Sequence, residues 1–94
     1  MFVLYEMKAF IEDNGEKKPF HLCISEPIQA VGEASFYCRI HAPELLRKDT
    51  DIYGADEDQA KNLAFEFVQS MLGHRRLVNG KGEAISPLEA FRGT

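Results

Sequence analysis

Apolar and polar residues alternate along the N-terminal part of the chain, and this period of two is typical of β-strands. Residues 2–12 carry a series of apolar side chains at odd positions, namely Val3, Tyr5, Met7, Ala9 and Ile11. Residues 20–25 and 34–41 alternate in the same way. The pattern predicts three strands whose apolar sides face a common core.

Turn residues indicate how these strands connect. Asn14-Gly15 is a strong signal for a two-residue hairpin, because both residues tolerate positive φ. Pro27 and Pro43 end the second and third strands, since proline donates no backbone hydrogen bond. We expect an antiparallel β-meander, followed by a loop with a helical turn over residues 43–54.

The apolar spacing then changes to that of an amphipathic helix over residues 57–72. Asp56 and Gln59 have the spacing of a capping box, and Gly73 marks the end of the helix. The apolar stripe consists of Ala60, Leu63, Ala64, Phe67, Val68 and Met71. These signals predict one long helix.

The C-terminal part gives shorter signals. Residues 75–78 and 83–86 flank a turn with two glycines and predict a short hairpin or one edge strand, and residues 88–91 predict a helical turn. The fold class that follows is α+β, with an antiparallel β-meander of three to four strands packed in two layers on the helix. A chain of 94 residues fits a single domain over residues 1–94.

Composition narrows the class of protein. The net charge of −4 argues against binding nucleic acid through the overall field. The longest apolar run, residues 2–5, is too short to cross a membrane, and no secretory signal precedes it. Two cysteines do not make a disulfide framework. We expect a cytoplasmic protein with no nucleic-acid or membrane partner.

Histidine and cysteine are common zinc ligands, and the predicted sheet holds His21, Cys23, Cys38 and His41. In regular strands Cys38 points away from the other three, which disfavours both a four-ligand zinc site and a Cys23–Cys38 disulfide. Cys23 beside a histidine is also a candidate nucleophile, but no local motif supplies an orienting group or an oxyanion site. We expect no metal site, no cofactor and no catalytic residue, and zinc binding by part of this group is the less favoured alternative.

Two other charged segments have competing interpretations. Residues 49–54 begin like a calcium loop, but Tyr53 and Ala60 occupy positions where ligands are needed. Acidic residues gathered before a helix N-terminus explain the segment more simply. The basic doublets Lys17-Lys18, Arg47-Lys48 and Arg75-Arg76 would contact phosphate if folding brought them together, whereas solvated loop charges are the simpler explanation.

One helix covers one face of a sheet, so the other face is the predicted binding surface. Its candidate residues mix aromatic, Arg and His side chains, as protein interfaces do, and they are Phe2, Leu4, Phe10, His21, Cys23, Tyr37, Arg39 and His41, with Phe65 at the helix flank. We expect a homodimer that binds a protein partner through this face or through the acidic residues 49–58. The alternatives are a small-molecule or minor enzyme pocket formed by His21, Cys23, Tyr37, Arg39 and His41, and a C-terminal segment folded over the face.

The stretch Tyr-Gly-Ala-Asp-Glu-Asp-Gln-Ala at residues 53–60, continuing to Leu63-Ala64 and Phe67, resembles a family of small uncharacterised bacterial proteins. In that family a Tyr-Gly-x-Asp-x-x-Gln-Ala motif opens a long helix after a β-meander. The resemblance covers about residues 38–85 and implies the fold, with no activity to carry over. In size and acidity the chain is also similar to mobile-gene-cassette proteins and to immunity proteins, whose acidic groups would meet a basic toxin.

Overall fold

The computed structural model describes residues 2–32, 34–73 and 75–85. Within these residues, six strands form one antiparallel sheet with a single helix. The elements are β1 (Val3–Asp13), β2 (Glu16–Ser25), β3 (Ile28–Gln29), β4 (Phe36–His41), β5 (Thr50–Gly54), α1 (Glu57–Leu72) and β6 (Arg76–Val78). The predicted α+β class is confirmed. The sheet has more strands than predicted, and α1 keeps the predicted bounds but is short, at 16 residues.

The β1–β2 hairpin forms the longest pairing of the sheet. Asn14 and Gly15 have φ values of 52° and 80°, which confirms the predicted two-residue turn. Odd residues of β1 lie opposite even residues of β2, as Met7 does opposite Leu22. The short strand β6 extends the sheet by pairing with residues 10–12 of β1.

Strand β4 joins the hairpin to the rest of the sheet. Residues 23–24 of β2 pair with its C-terminal end, and β3 pairs with its N-terminal end. Strand β5 pairs with residues 36–40 of β4. It lies along one edge of β4, because β2 and β3 both pair with the other edge. The prediction of a loop over residues 43–54 is therefore wrong at residues 50–54, where pairing with β4 forms a strand.

A β-bulge near the start of β1 changes which residues face the core. Val3 lies opposite Ser25, whereas Tyr5 lies opposite Ile24. Because one extra residue reverses the alternation, Val3 is 49% exposed and Leu4 packs against the core. The predictions that placed Val3 on the buried side and Leu4 on the other face are corrected accordingly.

The core lies between the sheet and α1. The helix buries a row of residues spaced by four, while Leu63 is 37% exposed, so the buried stripe is rotated from the predicted one. Phe65 packs edge-to-face on Tyr5, with ring centroids 6.5 Å apart. The buried cluster comprises Tyr5, Met7, Ala9, Ile11, Phe20, Leu22, Ile24, Cys38, Ile40, Ala42, Ala60, Ala64, Val68, Leu72 and Leu77.

The start of α1 combines a cap with a close approach to β5. The Oδ1 atom of Asp56 accepts a hydrogen bond from Gln59 N–H at 2.8 Å, as predicted for the N-cap. The Gln59 side chain accepts from the N–H of Ala55, one residue before the position that a capping box uses. A Cβ atom on Gly54 would lie within 3 Å of backbone atoms of Gln59 and Ala60, so only glycine lets the helix sit this close to the strand.

After α1 the chain forms β6 and a turn. Val78 makes an isolated bridge with Ala84, and Ile85 N–H donates to the Leu77 carbonyl, which agrees with the predicted edge strand and turn. The helical turn predicted over residues 88–91, and any cover that this segment gives to the sheet, lie outside the described residues. Among the helices in the described ranges, none has both the length and the apolar character to cross a membrane.

Candidate functional site

The face of the sheet opposite α1, called the open face below, brings together the main sequence-predicted candidates. Strand registers place Glu6 beside Cys23 and Cys23 beside His41, with His21 on the neighbouring row of β2. On β4 the same face continues to Arg39 and Tyr37, which lie opposite Asp51 and Tyr53 of β5. The residues of the open face used below are Glu6, His21, Cys23, Tyr37, Arg39, His41, Asp51 and Tyr53.

Each histidine of the open face is bound to a carboxylate. His21 Nε2 lies 2.8 Å from Oε2 of Glu6, and His41 Nδ1 lies 2.6 Å from Oδ1 of Asp49. The two imidazole rings meet edge-on with centroids 6.4 Å apart. Because all four side chains are substantially exposed, these pairs orient the rings but contribute little to stability.

Cys23 lies between the two histidines in the strand register, yet it lacks the surroundings of a nucleophile. Its side chain is buried, and burial, followed by the charges of Glu6 and Asp49, raises the pKa of its thiol. A raised pKa leaves the protonated thiol, which is the less reactive form. The open face therefore provides histidine without an activated cysteine.

The four candidate zinc ligands do not converge. Cys38 belongs to the buried core, on the other side of the sheet from Cys23, and both cysteines are free thiols. No group of three or more His, Cys, Asp or Glu side chains suited to a metal ion occurs in the described ranges. The two acids of the calcium-like segment have other partners, because Asp49 binds His41 and Asp51 binds Arg39.

Arg39 forms a bidentate ion pair on the open face. Its Nε and one terminal nitrogen donate to the two carboxylate oxygens of Asp51 at 2.8 and 3.2 Å. The backbone N–H of Arg39 donates to the hydroxyl of the buried Ser25 at 2.8 Å. The hydrogen bond to Asp51 and the negative charge of Asp51 raise the pKa of the Arg39 guanidinium above its usual value, so Arg39 stays a cation.

Two tyrosines extend this arrangement toward β3. The guanidinium carbon of Arg39 lies 5.6 Å from the ring centroid of Tyr37, within cation–π range, and the rings of Tyr37 and Tyr53 are 5.3 Å apart. Tyr53 is 53% exposed, and Val31 in the neighbouring loop is fully exposed. A cavity of about 610 Å³ lies over this group, here named the tyrosine–arginine patch, and it is lined by Ala30, Val31, Tyr37, Arg39, Asp51 and Tyr53.

The patch includes two residues that were not predicted on the sheet face and excludes some that were. Asp51 and Tyr53 belong to the acidic segment 49–58 named as a possible partner surface, but residues 43–54 were predicted as a loop; their alternation with Ile52 was the available signal for a strand. His21, Cys23 and His41 do not line the cavity, so the predicted pocket of five residues forms only in part.

The remaining candidates are the apolar residues Phe2, Leu4, Phe10 and Phe65. Phe65 packs on Tyr5 in the helix-covered layer and Leu4 packs against the core, so neither extends the open face. Phe10 is half-buried beside β6, and Phe2 is 85% exposed before the start of β1. Of the predicted residues of this face, Leu4 and Phe65 therefore belong to the core side instead.

An acidic stretch borders the tyrosine–arginine patch. Residues 49–58 contain five carboxylates and no Lys or Arg. Asp49 and the three consecutive acids at residues 56–58 are exposed. This end of the molecule therefore combines exposed tyrosine with negative charge.

In comparisons of the chain with known proteins, no family model, no curated protein and no solved structure matches it.

Proposed function

We propose that this protein is a non-enzymatic binding module that recognises a protein partner with a basic surface, using the tyrosine–arginine patch and the adjoining acidic residues 49–58. The observation that carries the proposal is the contact between the half-buried Tyr37 and the exposed Tyr53, with Arg39 stacked against Tyr37 on the open face. Tyrosine and arginine are enriched among the residues that dominate binding energy in protein interfaces.

The geometry of the patch supports binding with little loss of side-chain freedom. The bidentate pair with Asp51 already fixes the guanidinium of Arg39, and Tyr37 lies between Arg39 and Tyr53. A surface that is ordered before binding does not have to order its side chains when the partner arrives. The adjacent cavity offers space for a side chain of the partner.

Charge supports the choice of partner. The net charge of −4 and the absence of Lys and Arg from residues 49–58 favour approach of a basic surface, and such complementarity raises association rates. This is the behaviour expected of an immunity-type protein that meets a basic toxin. A second copy of this chain is a poorer occupant of the same patch, because two acidic stretches would face each other.

The chemistry of the open face favours binding over catalysis. The thiol of Cys23 is buried, and burial raises its pKa, so the protonated and less reactive form is favoured beside the two histidines. A nucleophilic mechanism needs a thiolate, a base and a group that stabilises negative charge in one place.

Site-specific cross-linking tests the proposal. A photoreactive amino acid at position 53 of the full chain should capture a basic protein from an extract of the source cells, and the same amino acid at position 63 serves as the control because Leu63 is an exposed residue of α1. The captured protein, purified, should then bind the unmodified chain in an affinity titration. Tyr53→Ala should weaken binding by about tenfold or more, as for an interface hot spot, while Leu63→Ala leaves it unchanged.

Salt dependence completes the test. Affinity should fall as ionic strength rises, because exposed charge pairs are screened. Equal capture from positions 53 and 63, or binding that withstands both Tyr53→Ala and high salt, would refute the proposed surface. Light scattering of the free chain tests the predicted homodimer separately.

A further inference from the structure

A second cavity lies at the opposite end of the molecule from the tyrosine–arginine patch. It encloses about 420 Å³ between the tip of the β1–β2 hairpin, the turn after β4 and the residues that lead into β6. The hairpin continues past the end of β4, since Cys23 of β2 already lies opposite His41. The cavity forms where the hairpin extends beyond its neighbours.

The floor of this hairpin cavity is apolar. Ile11 and Phe20 line it, and both are core residues that are more than nine-tenths buried. Pro19 and Leu45 add further apolar surface. Small-molecule sites typically have volumes of about 300–1,000 Å³, and the hairpin cavity falls in this range with charged side chains around its apolar floor.

The rim of the hairpin cavity carries equal numbers of cations and anions. The cations are Lys18, Arg75 and Arg76, and the anions are Glu12, Asp13 and Glu44. Arg76 and Glu12 neutralise each other, with Nε and Oε1 3.3 Å apart. The other four charged residues form no ion pair within the described ranges, and they are Lys18, Arg75, Asp13 and Glu44.

This rim brings together two of the three basic doublets noted in the sequence. Lys18 comes from the hairpin and Arg75 from the segment after α1, whereas Arg47-Lys48 does not line the cavity. A simple anion would meet the unpaired Asp13 and Glu44, and a simple cation would meet Lys18 and Arg75. A ligand that carries both charges satisfies both pairs.

We propose that the hairpin cavity binds a small apolar zwitterion of the α-amino acid class. Lys18 and Arg75 receive the carboxylate, Asp13 and Glu44 receive the ammonium group, and the apolar side chain rests on Ile11 and Phe20. The site is independent of the proposed protein-binding patch, because the two share no lining residue.

Calorimetry and NMR titration with L-phenylalanine test this site in the full chain. The controls are 3-phenylpropionate, which lacks the ammonium group, and 2-phenylethylamine, which lacks the carboxylate. L-Phenylalanine should bind saturably and at least about tenfold more tightly than either control, because each loses one charged pair. Tyr53→Ala should leave this binding unchanged.

Matched variants locate the charges. Arg75→Gln should weaken the binding of L-phenylalanine by about tenfold and leave the binding of 2-phenylethylamine unaffected. Glu44→Gln should weaken the binding of 2-phenylethylamine and leave the binding of 3-phenylpropionate unaffected. Arg75→Lys keeps the cation and should retain binding, and Arg47→Gln is the control for loss of a remote charge. Circular dichroism checks that each variant is folded.

Three results would overturn the proposal. The first is no saturable binding of L-phenylalanine at millimolar concentrations, and the second is equally tight binding of 3-phenylpropionate, which would indicate a plain anion site. The third is equal weakening by Arg47→Gln and Arg75→Gln, which would indicate attraction to overall charge.

Discussion

Replacing Gly54 with alanine tests how closely α1 packs on β5. The added Cβ would lie 2.8 Å from the carbonyl carbon of Gln59 and 2.9 Å from Cα of Ala60. These are backbone atoms in the first turn of the helix, so no side-chain rotation relieves the overlap. The helix start or the edge strand has to shift, and overpacking of this kind costs about 1–3 kcal/mol.

Urea unfolding followed by circular dichroism measures this cost. Gly54→Ala should lower the free energy of unfolding by about 1–3 kcal/mol and the thermal midpoint by at least about 4 °C in a domain of this size. Gly80→Ala is the matched control, because its Cβ would meet only a ring carbon of Phe10 at 3.9 Å, an ordinary contact. Its effect should stay within about 0.5 kcal/mol.

The refuting outcome is a Gly54→Ala protein as stable as the Gly80→Ala control. That result would mean that α1 and β5 have room for a methyl group between them. The requirement for glycine at the helix start would then have no packing basis.

Three further changes have defined outcomes. Ser25→Ala removes the hydroxyl that accepts from the N–H of Arg39, so urea unfolding should show a loss of about 1–3 kcal/mol, against a change within about 0.5 kcal/mol for the exposed Ser70→Ala. Asp56→Ala removes the N-cap of α1 and should cost about 1 kcal/mol in the same assay. Burial raises the folded-state pKa of Cys23, so the unfolded chain loses the thiol proton first as pH rises. The free energy of unfolding should therefore fall above about pH 8.5. Cys23→Ser should lessen this fall, measured as urea midpoints between pH 7 and pH 10.

Local sequence signals predicted the elements that depend on neighbouring residues. Asn14-Gly15 fixes a hairpin through its own backbone preferences, and the spacing of apolar residues with Asp56 before them fixes the bounds of α1. Strand β5 was missed because a five-residue segment with an acid and a terminal glycine becomes a strand only through pairing with β4. The bulge before Tyr5 was missed for a similar reason, since strand alternation carries no signal of an extra residue.

The sequence predicted which candidate residues share a face of the sheet, because side chains alternate between the two faces along a strand. Parity alone places His21, Cys23 and His41 on one face and Cys38 on the other, as observed. The carboxylate partners of the histidines and of Arg39 come from other strands or from the loop before β5, so sequence spacing could not reveal them. The hairpin cavity depends on three distant segments and had no sequence signal beyond its basic doublets.

Strand β5 links the stability of the fold to the proposed binding patch. Its alternation directs Ile52 toward the core and Asp51 and Tyr53 toward the open face, while Gly54 sits beneath the first turn of α1. A disturbance at Gly54 therefore acts on both layers: it displaces the helix start, and it loosens the strand that holds Tyr53 against Tyr37. The strand that closes the core at this edge also carries Asp51 and Tyr53 of the patch, so the proposed recognition requires the close contact between β5 and α1.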